Sequence, residues 1–316
     1  MKAVMHIPDN FLSPPVWASL DAVAIPSIAY ISRQAQKTTT DNRVPLLGVM
    51  GAFVFAAQMI NFPVGMGTSG HLVGGTLLAC VLGPWAAALV VTAILIVQAL
   101  IFQDGGVLAL GANVLNMALM GVLCGYLPAR ALFRSKWRSY GVFLGGMCSV
   151  LVSGILALTE LTLSGIRMPA TLLEASLGLF TINAVLEGAI TVSVLRAISR
   201  LNPGVAETGL SAEPGTSAGT GWRKVAGAIA AASLVLTAGS VLIASTLPDG
   251  LQHLANALGM PLGHAVLHSP VSNYQVHALG DGWFSRAIAG LAGLAAIYAI
   301  CTIGDHLLGR MRRSYS

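Results

Sequence analysis

The sequence predicts an all-α fold, a polytopic membrane helix bundle of about seven spans in an N-terminal module followed by two in a C-terminal one. Three observations lead there. Of the 316 residues, 55% are hydrophobic and 9% are charged, with a mean hydropathy of +0.77, whereas soluble domains carry about 25% charged residues. The apolar residues fall into runs, several near the roughly 20 residues that a spanning helix needs. The basic residues collect in the short loops between those runs, where they set orientation. The net charge of +5 therefore reflects topology, and nucleic acid is not an expected partner.

The first four residues, Met1 to Val4, lack the apolar core of a signal peptide. Ser13 to Ile31 reads as the first helix, with Asp21 and Pro26 inside it, and Pro45 to Phe62 as the second after a charged loop, 33–43. The glycine-rich stretch Gly65-Met-Gly-Thr-Ser-Gly-His-Leu-Val-Gly-Gly75 interrupts the apolar pattern. Irregular backbone of that kind is tolerated at membrane depth where it lines a protein cavity, so His71 is expected to face one. Leu72 to Gly83 is a short third helix, about 12 residues, tilted or sunk into the bundle. Trp85 to Phe102 forms a fourth helix, the turn Gln103-Asp-Gly-Gly106 ends it, and Val107–Ala131, Tyr140–Leu163 and Thr171–Ala197 supply the fifth to seventh.

Composition then changes. Residues 201–221 are rich in Gly, Ser, Ala, Thr and Pro with no aromatic residue, which predicts a flexible linker spanning roughly 25 Å. The domains are thus 1–200, the linker 201–221, and 222–316. The last holds an eighth helix, Val225 to Thr246, a polar loop over 247–283, and a ninth helix, Phe284 to Ile303. With nine crossings, loops 33–43, 130–138, 196–224 and the tail 306–316 share one side and carry three, four, four and three basic residues, fourteen of the seventeen. By the positive-inside rule that side is cytoplasmic, with the N-terminus, His71, Asp104 and the 247–283 loop outside, in a multi-pass protein of the plasma (inner) membrane.

Six of the seven histidines, His6, His71, His253, His264, His268 and His277, fall on the outer side, and His306 on the inner. Neutral imidazole is the commonest metal ligand among side chains, and His6 and His71 read as a metal-binding pair. Thr68, Ser69, Gln98, Asn113 and Asn116, near the outer helix ends, could hydrogen-bond the second nitrogen of a ligating histidine. The plainer readings stand beside these: a lone histidine in a bundle is more often a hydrogen-bonded interior residue, and amides between membrane helices are commonly interhelical glue. Cys80, Cys124, Cys148 and Cys301 lie inside apolar runs without paired spacing and read as small buried hydrophobes.

Five ordered motifs, Met5-His-Ile-Pro-Asp9, Gly70-His-Leu-Val-Gly-Gly75, Leu82-Gly-Pro-Trp85, Asp104-Gly-Gly106 and Gly111-Ala-Asn-Val-Leu-Asn116, resemble the CbiM/NikM family over residues 5–198. Its members are the substrate-capture (S) components of energy-coupling factor (ECF) transporters for cobalt and nickel. Leu247-Pro-Asp-Gly-Leu251 resembles the PDGL motif of the small NikN-type subunit, here fused behind the linker in a NikMN-type arrangement. The resemblance implies that the ion is held by the free amine of Met5, the backbone nitrogen and imidazole of His6, and the imidazole of His71. Such a four-nitrogen set suits Ni(II) in tetragonal geometry. It also implies that the mature chain starts at Met5, since Met1 to Val4 would bury that amine in a peptide bond.

The resemblance further implies uptake of Ni(II), alternatively Co(II), as transported ion, with no permanent cofactor. The partners it implies are an ECF transmembrane coupling (T) subunit, ATP-binding cassette ATPase subunits and membrane lipid. No P-loop ending in Gly-Lys-Ser/Thr occurs in the sequence, so ATP hydrolysis is assigned to partners and the chain is not expected to be an enzyme. Gly48, Ala52 and Ala56, four residues apart, present a small-xxx-small face that either docks the T subunit or packs inside the bundle. Glu187, with Asn183 one turn before it, is a carboxylate deep in a span and reads as a structural polar contact. The rival readings are an intramembrane zinc metalloenzyme, which lacks a His-Glu-x-x-His motif, and a vitamin-capture S component, which leaves Met5, His6 and His71 unexplained.

Overall fold

The computed structural model describes residues 6–39, 44–65, 68–210, 222–243, 247, 250–259, 267, 269–280 and 282–314. Each of the nine apolar stretches is helical: α1 (Pro14–Thr38), α2 (Val44–Gln58), α3 (Gly75–Leu82), α4 (Pro84–Phe102), α5 (Leu110–Ala131), α6 (Arg138–Leu163), α7 (Ala170–Leu201), α9 (Trp222–Ile243) and α11 (Trp283–Ser314). Two further helices, α8 (Pro203–Glu207) and α10 (Gly250–Ala257), lie between them. Among the described residues, six helices are long and apolar enough to cross a membrane: α1, α4, α5, α6, α7 and the Trp283–Ile303 part of α11. Two of the expected spans, α2 and α3, fall short of that length; they have 15 and 8 residues and are buried almost throughout. A helix enclosed by protein has no bilayer thickness to match.

Between α2 and α3 the chain forms an antiparallel hairpin of β1 (Phe62–Gly65) and β2 (Thr68–Gly70). A hairpin satisfies its inward backbone groups by pairing, as irregular backbone at depth requires. Two of the long helices loosen locally. α4 ends in a π-helical turn over Gln98–Phe102, and α5 is π-helical over Val114–Gly121; such segments are rare and frequent at functional sites. Asp21, inside α1, is satisfied by accepting the Gly111 N–H at the start of α5 at 2.8 Å.

Two expectations need correction. The linker is not flexible from its first residue: α8 and a 3-10 turn, Thr208–Leu210, fold back under the bundle with Val205, Ala206 and Leu210 fully enclosed. A Cβ on Gly209 would collide with the carbonyl of Ala79 and the amide of Gly83, so this segment closes the far end of α3. Residues 211–221 lie outside the described residues. The small face of α2, in turn, is occupied by the chain's own last helix. A Cβ on Gly48 would stand 2.7 Å from the Tyr298 ring, and Ala52 and Ala56 are buried. Of the two readings of that face, packing inside the bundle is the one realised.

Candidate metal centre

Three stretches distant in sequence meet at one end of the bundle: residues 6–9, residues 71–74, and the turn 103–106. The first is laid along the third like an added strand. The Gly106 N–H donates to the Ile7 carbonyl at 2.9 Å, the Leu108 N–H to Asp9 Oδ1 at 2.8 Å, and Asn113 of α5 both accepts from the Ile7 N–H at 2.8 Å and donates to its carbonyl at 3.1 Å. The close approach requires glycine at Gly105, whose φ is +99° and whose Cβ would lie 2.9 Å from the His6 Cβ. An Asp-Gly-Gly turn is what this geometry needs.

The second stretch is clamped by α7 and α2. The Glu187 carboxylate accepts the N–H of Val73 at 2.7 Å and of Gly74 at 2.8 Å, Asn183 one turn earlier donates to the His71 carbonyl at 3.3 Å, and Gln58 donates to the Val73 carbonyl at 2.9 Å. These are donors and acceptors that the bend into α3 leaves without helical partners. Gly74 turns the chain at φ +76°.

His6 and His71 are thereby brought together, 1% and 2% exposed, their ring centroids 5.7 Å apart with planes inclined by 29°. His71 Nδ1 sits 2.8 Å from the Leu72 carbonyl. A carbonyl can only accept, so Nδ1 carries the proton and Nε2 keeps its lone pair. His71 lies in the loop before α3, and burial, followed by the neighbouring His6, lowers its pKa to about 4; it is a neutral donor at neutral pH. Neither ring nitrogen of His6 has a hydrogen-bond partner, nor does Asp104 Oδ1, which lies 3.6 Å from His6 Nδ1. Unpartnered buried polar atoms are uncommon enough to demand a reason, and here three of them converge. Among the described residues no group of three or more His, Cys, Asp or Glu side chains could hold a metal ion.

The other sequence candidates take up the following positions. Thr68 and Ser69 are buried in β2, where Ser69 Oγ donates to the Leu247 carbonyl at 2.8 Å. Gln98 donates to Gln58 Oε1 at 2.9 Å, Asn113 holds Ile7, and Asn116 donates to Glu160 at 2.8 Å. The His71 second nitrogen is met by backbone instead. Met5, His264 and His268 lie outside the described residues. His277 is exposed, 2.7 Å from Ser272 Oγ. Two residues stand out here with more than their sequence suggested: Glu187, as a backbone clamp, and Tyr274, whose hydroxyl donates to Asp104 Oδ2 at 2.6 Å. An intramembrane carboxylate was a signal for the first; an isolated tyrosine in a polar loop gave none for the second.

The fold and site define a multi-pass membrane protein that buries two imidazoles side by side within a backbone cage. The family model described as the cobalt uptake substrate-specific transmembrane region, CbiM, matches residues 6–205, and the chain belongs to that family. It is 34% identical over 306 residues to a putative fused nickel transport protein NikMN of Archaeoglobus fulgidus, covering 94% of this chain and 96% of the relative. A probable fused nickel transport protein LarMN of Lactiplantibacillus plantarum is 42% identical over 48% of each chain. A crystal structure of a transition metal transporter superposes with a TM-score of 0.56 at 31% identity, covering 63% of this chain and 94% of the other. The chain is thus a cobalt/nickel transport membrane protein of the CbiM/NikMN type.

Proposed function

We propose that this chain is the substrate-specific subunit of an ATP-driven, ECF-type uptake transporter, and that it captures Ni(II), alternatively Co(II), outside the cell through Met5, His6 and His71. The observation that carries the reading is the buried His6–His71 pair inside a backbone cage, with both ring nitrogens of His6 without a hydrogen-bond partner and the Nε2 lone pair of His71 left by the bond its Nδ1 makes to the Leu72 carbonyl. The amine of Met5 and the amide nitrogen of His6 would supply the remaining two donors, closing small chelate rings around one ion. Four nitrogens in a tetragonal set favour Ni(II), while first-row affinity order alone discriminates poorly. Thr68, Ser69, Gln98, Asn113 and Asn116 are pocket residues in this reading, of which Asn113 fixes the backbone of Ile7 next to His6.

The sequence contains no P-loop, so energy comes from ATP-binding cassette subunits through a T subunit. The T subunit would have to dock elsewhere than the α2 face, which the chain itself covers. The basic loops support a cytoplasmic C-terminus and an outer N-terminus in the plasma membrane. Nickel titration of the His71→Ala variant in detergent tests the reading: stoichiometric Ni(II) binding is expected to vanish while the protein stays folded, and undiminished binding would remove His71 from the ligand set.

A further inference from the structure

The turn that covers His6 is held from the far end of the chain. Gln103 Nε2 donates to the Leu267 carbonyl, and the Tyr274 hydroxyl donates to Asp104 Oδ2 at 2.6 Å. The Tyr274 ring lies flat against Phe102, the last residue of α4, with centroids 4.6 Å apart and planes inclined by 11°. Both sides of the contact are conformationally unusual. Gln103, Asn273 and Tyr274 have φ of +55°, +56° and +57°, a region that residues other than glycine adopt rarely and bulky ones hardly at all. Such backbone persists where surrounding contacts impose it, and it clusters at clamps and switches. Asp104 connects this contact to the centre, because its other oxygen is the unpartnered one 3.6 Å from His6.

The imidazoles are enclosed, so an ion that enters or leaves must displace some wall. Of those walls, the turn is tied down by the Ile7 carbonyl on one side and by these two contacts on the other. We infer that Tyr274 is a positioning residue that latches the Gln103–Gly106 turn over His6, so that the bound ion exchanges with the outer solution when the Tyr274–Asp104 contact opens. The inference rests on the metal-capture reading above, and it gives the C-terminal module a direct role at the site.

The test uses the full chain in detergent, loaded with Ni(II), following release into excess chelator and uptake by stopped flow. Tyr274→Phe keeps the ring against Phe102 and removes the hydroxyl. A hydrogen bond to a carboxylate is strong enough that its loss should speed release about tenfold. Uptake should speed as well, so that Kd moves less than either rate. Gln103→Ala, which unties the second point, should act in the same direction. A residue that merely supports the fold would weaken binding without accelerating uptake, and that result would overturn the latch. Unchanged rates in Tyr274→Phe, with binding abolished in His71→Ala, would overturn the latch and leave the metal site standing. Undiminished binding in His71→Ala would overturn both.

Discussion

Asn113 and Ile7 exchange two hydrogen bonds, the side-chain oxygen accepting the Ile7 N–H at 2.8 Å and the side-chain amide donating to its carbonyl at 3.1 Å. An asparagine here does the work of a neighbouring strand, and it fixes the peptide that follows His6. Replacing Asn113 with leucine would leave the buried Ile7 N–H unpaired, at about 1–3 kcal/mol, and its carbonyl with the Gly106 N–H alone. Nickel affinity measured by calorimetry is expected to fall at least tenfold. An unchanged affinity would mean that His6 is held by the turn alone.

Glu187 clamps the other ligand's loop, and its two accepted bonds distinguish it from an ordinary interhelical contact. In Glu187→Gln one of the two N–H groups would face an amide NH2 instead of an oxygen, and in Glu187→Ala both would lose their acceptor. The expected order of thermal stability and of Ni(II) affinity is wild type, then Gln, then Ala, with a total loss of at least about 2 kcal/mol for the alanine variant. Equal behaviour of the two variants would show that the one acceptor kept in Glu187→Gln contributes nothing.

The lowered pKa of His71, to about 4, has a definite sign in pH dependence. Between about 4 and the ordinary 6.5 the unfolded chain binds a proton at this position and the folded chain does not. The folded state therefore loses stability as pH falls through that window and gains nothing above it. The full effect is up to about 3 kcal/mol, at 1.36 kcal/mol per pKa unit. Unfolding of the metal-free protein, measured at pH 4.5 and 7.5 beside His71→Ala, should show a steeper acid loss in the wild type. Parallel profiles would place a charged or solvated imidazole at position 71.

Leu210, 1% exposed, belongs to the segment that closes the far end of α3. Its replacement by alanine is expected to cost about 2–5 kcal/mol, as for other enclosed leucines, with Ni(II) affinity little changed. For the same reason a chain ending at residue 210 should unfold at a higher temperature than one ending at residue 200. Equal unfolding temperatures for the two would mean that Val205, Ala206 and Leu210 add no stability.

Hydropathy and period determined the helices and the shortness of α3, because those signals reside in ten to twenty consecutive residues. They also singled out His6, His71 and the Asp104-Gly-Gly turn, since a glycine-rich break in an apolar chain has few explanations. Partner choice is not a local property. That Glu187 serves the Val73 and Gly74 amides follows from which backbone groups the bend into α3 leaves unpaired, and from α7 passing beside them. The α2 small-residue face could equally have met a partner subunit; the position of Tyr298 on α11 shows that at Gly48 the chain packs against itself. Residues 203–210 have a linker's composition, yet Val205, Ala206 and Leu210 found an apolar surface under α3 to bury against. Tyr274 illustrates the limit most plainly, because one hydroxyl in a polar loop acquires a role only when folding carries it to Asp104.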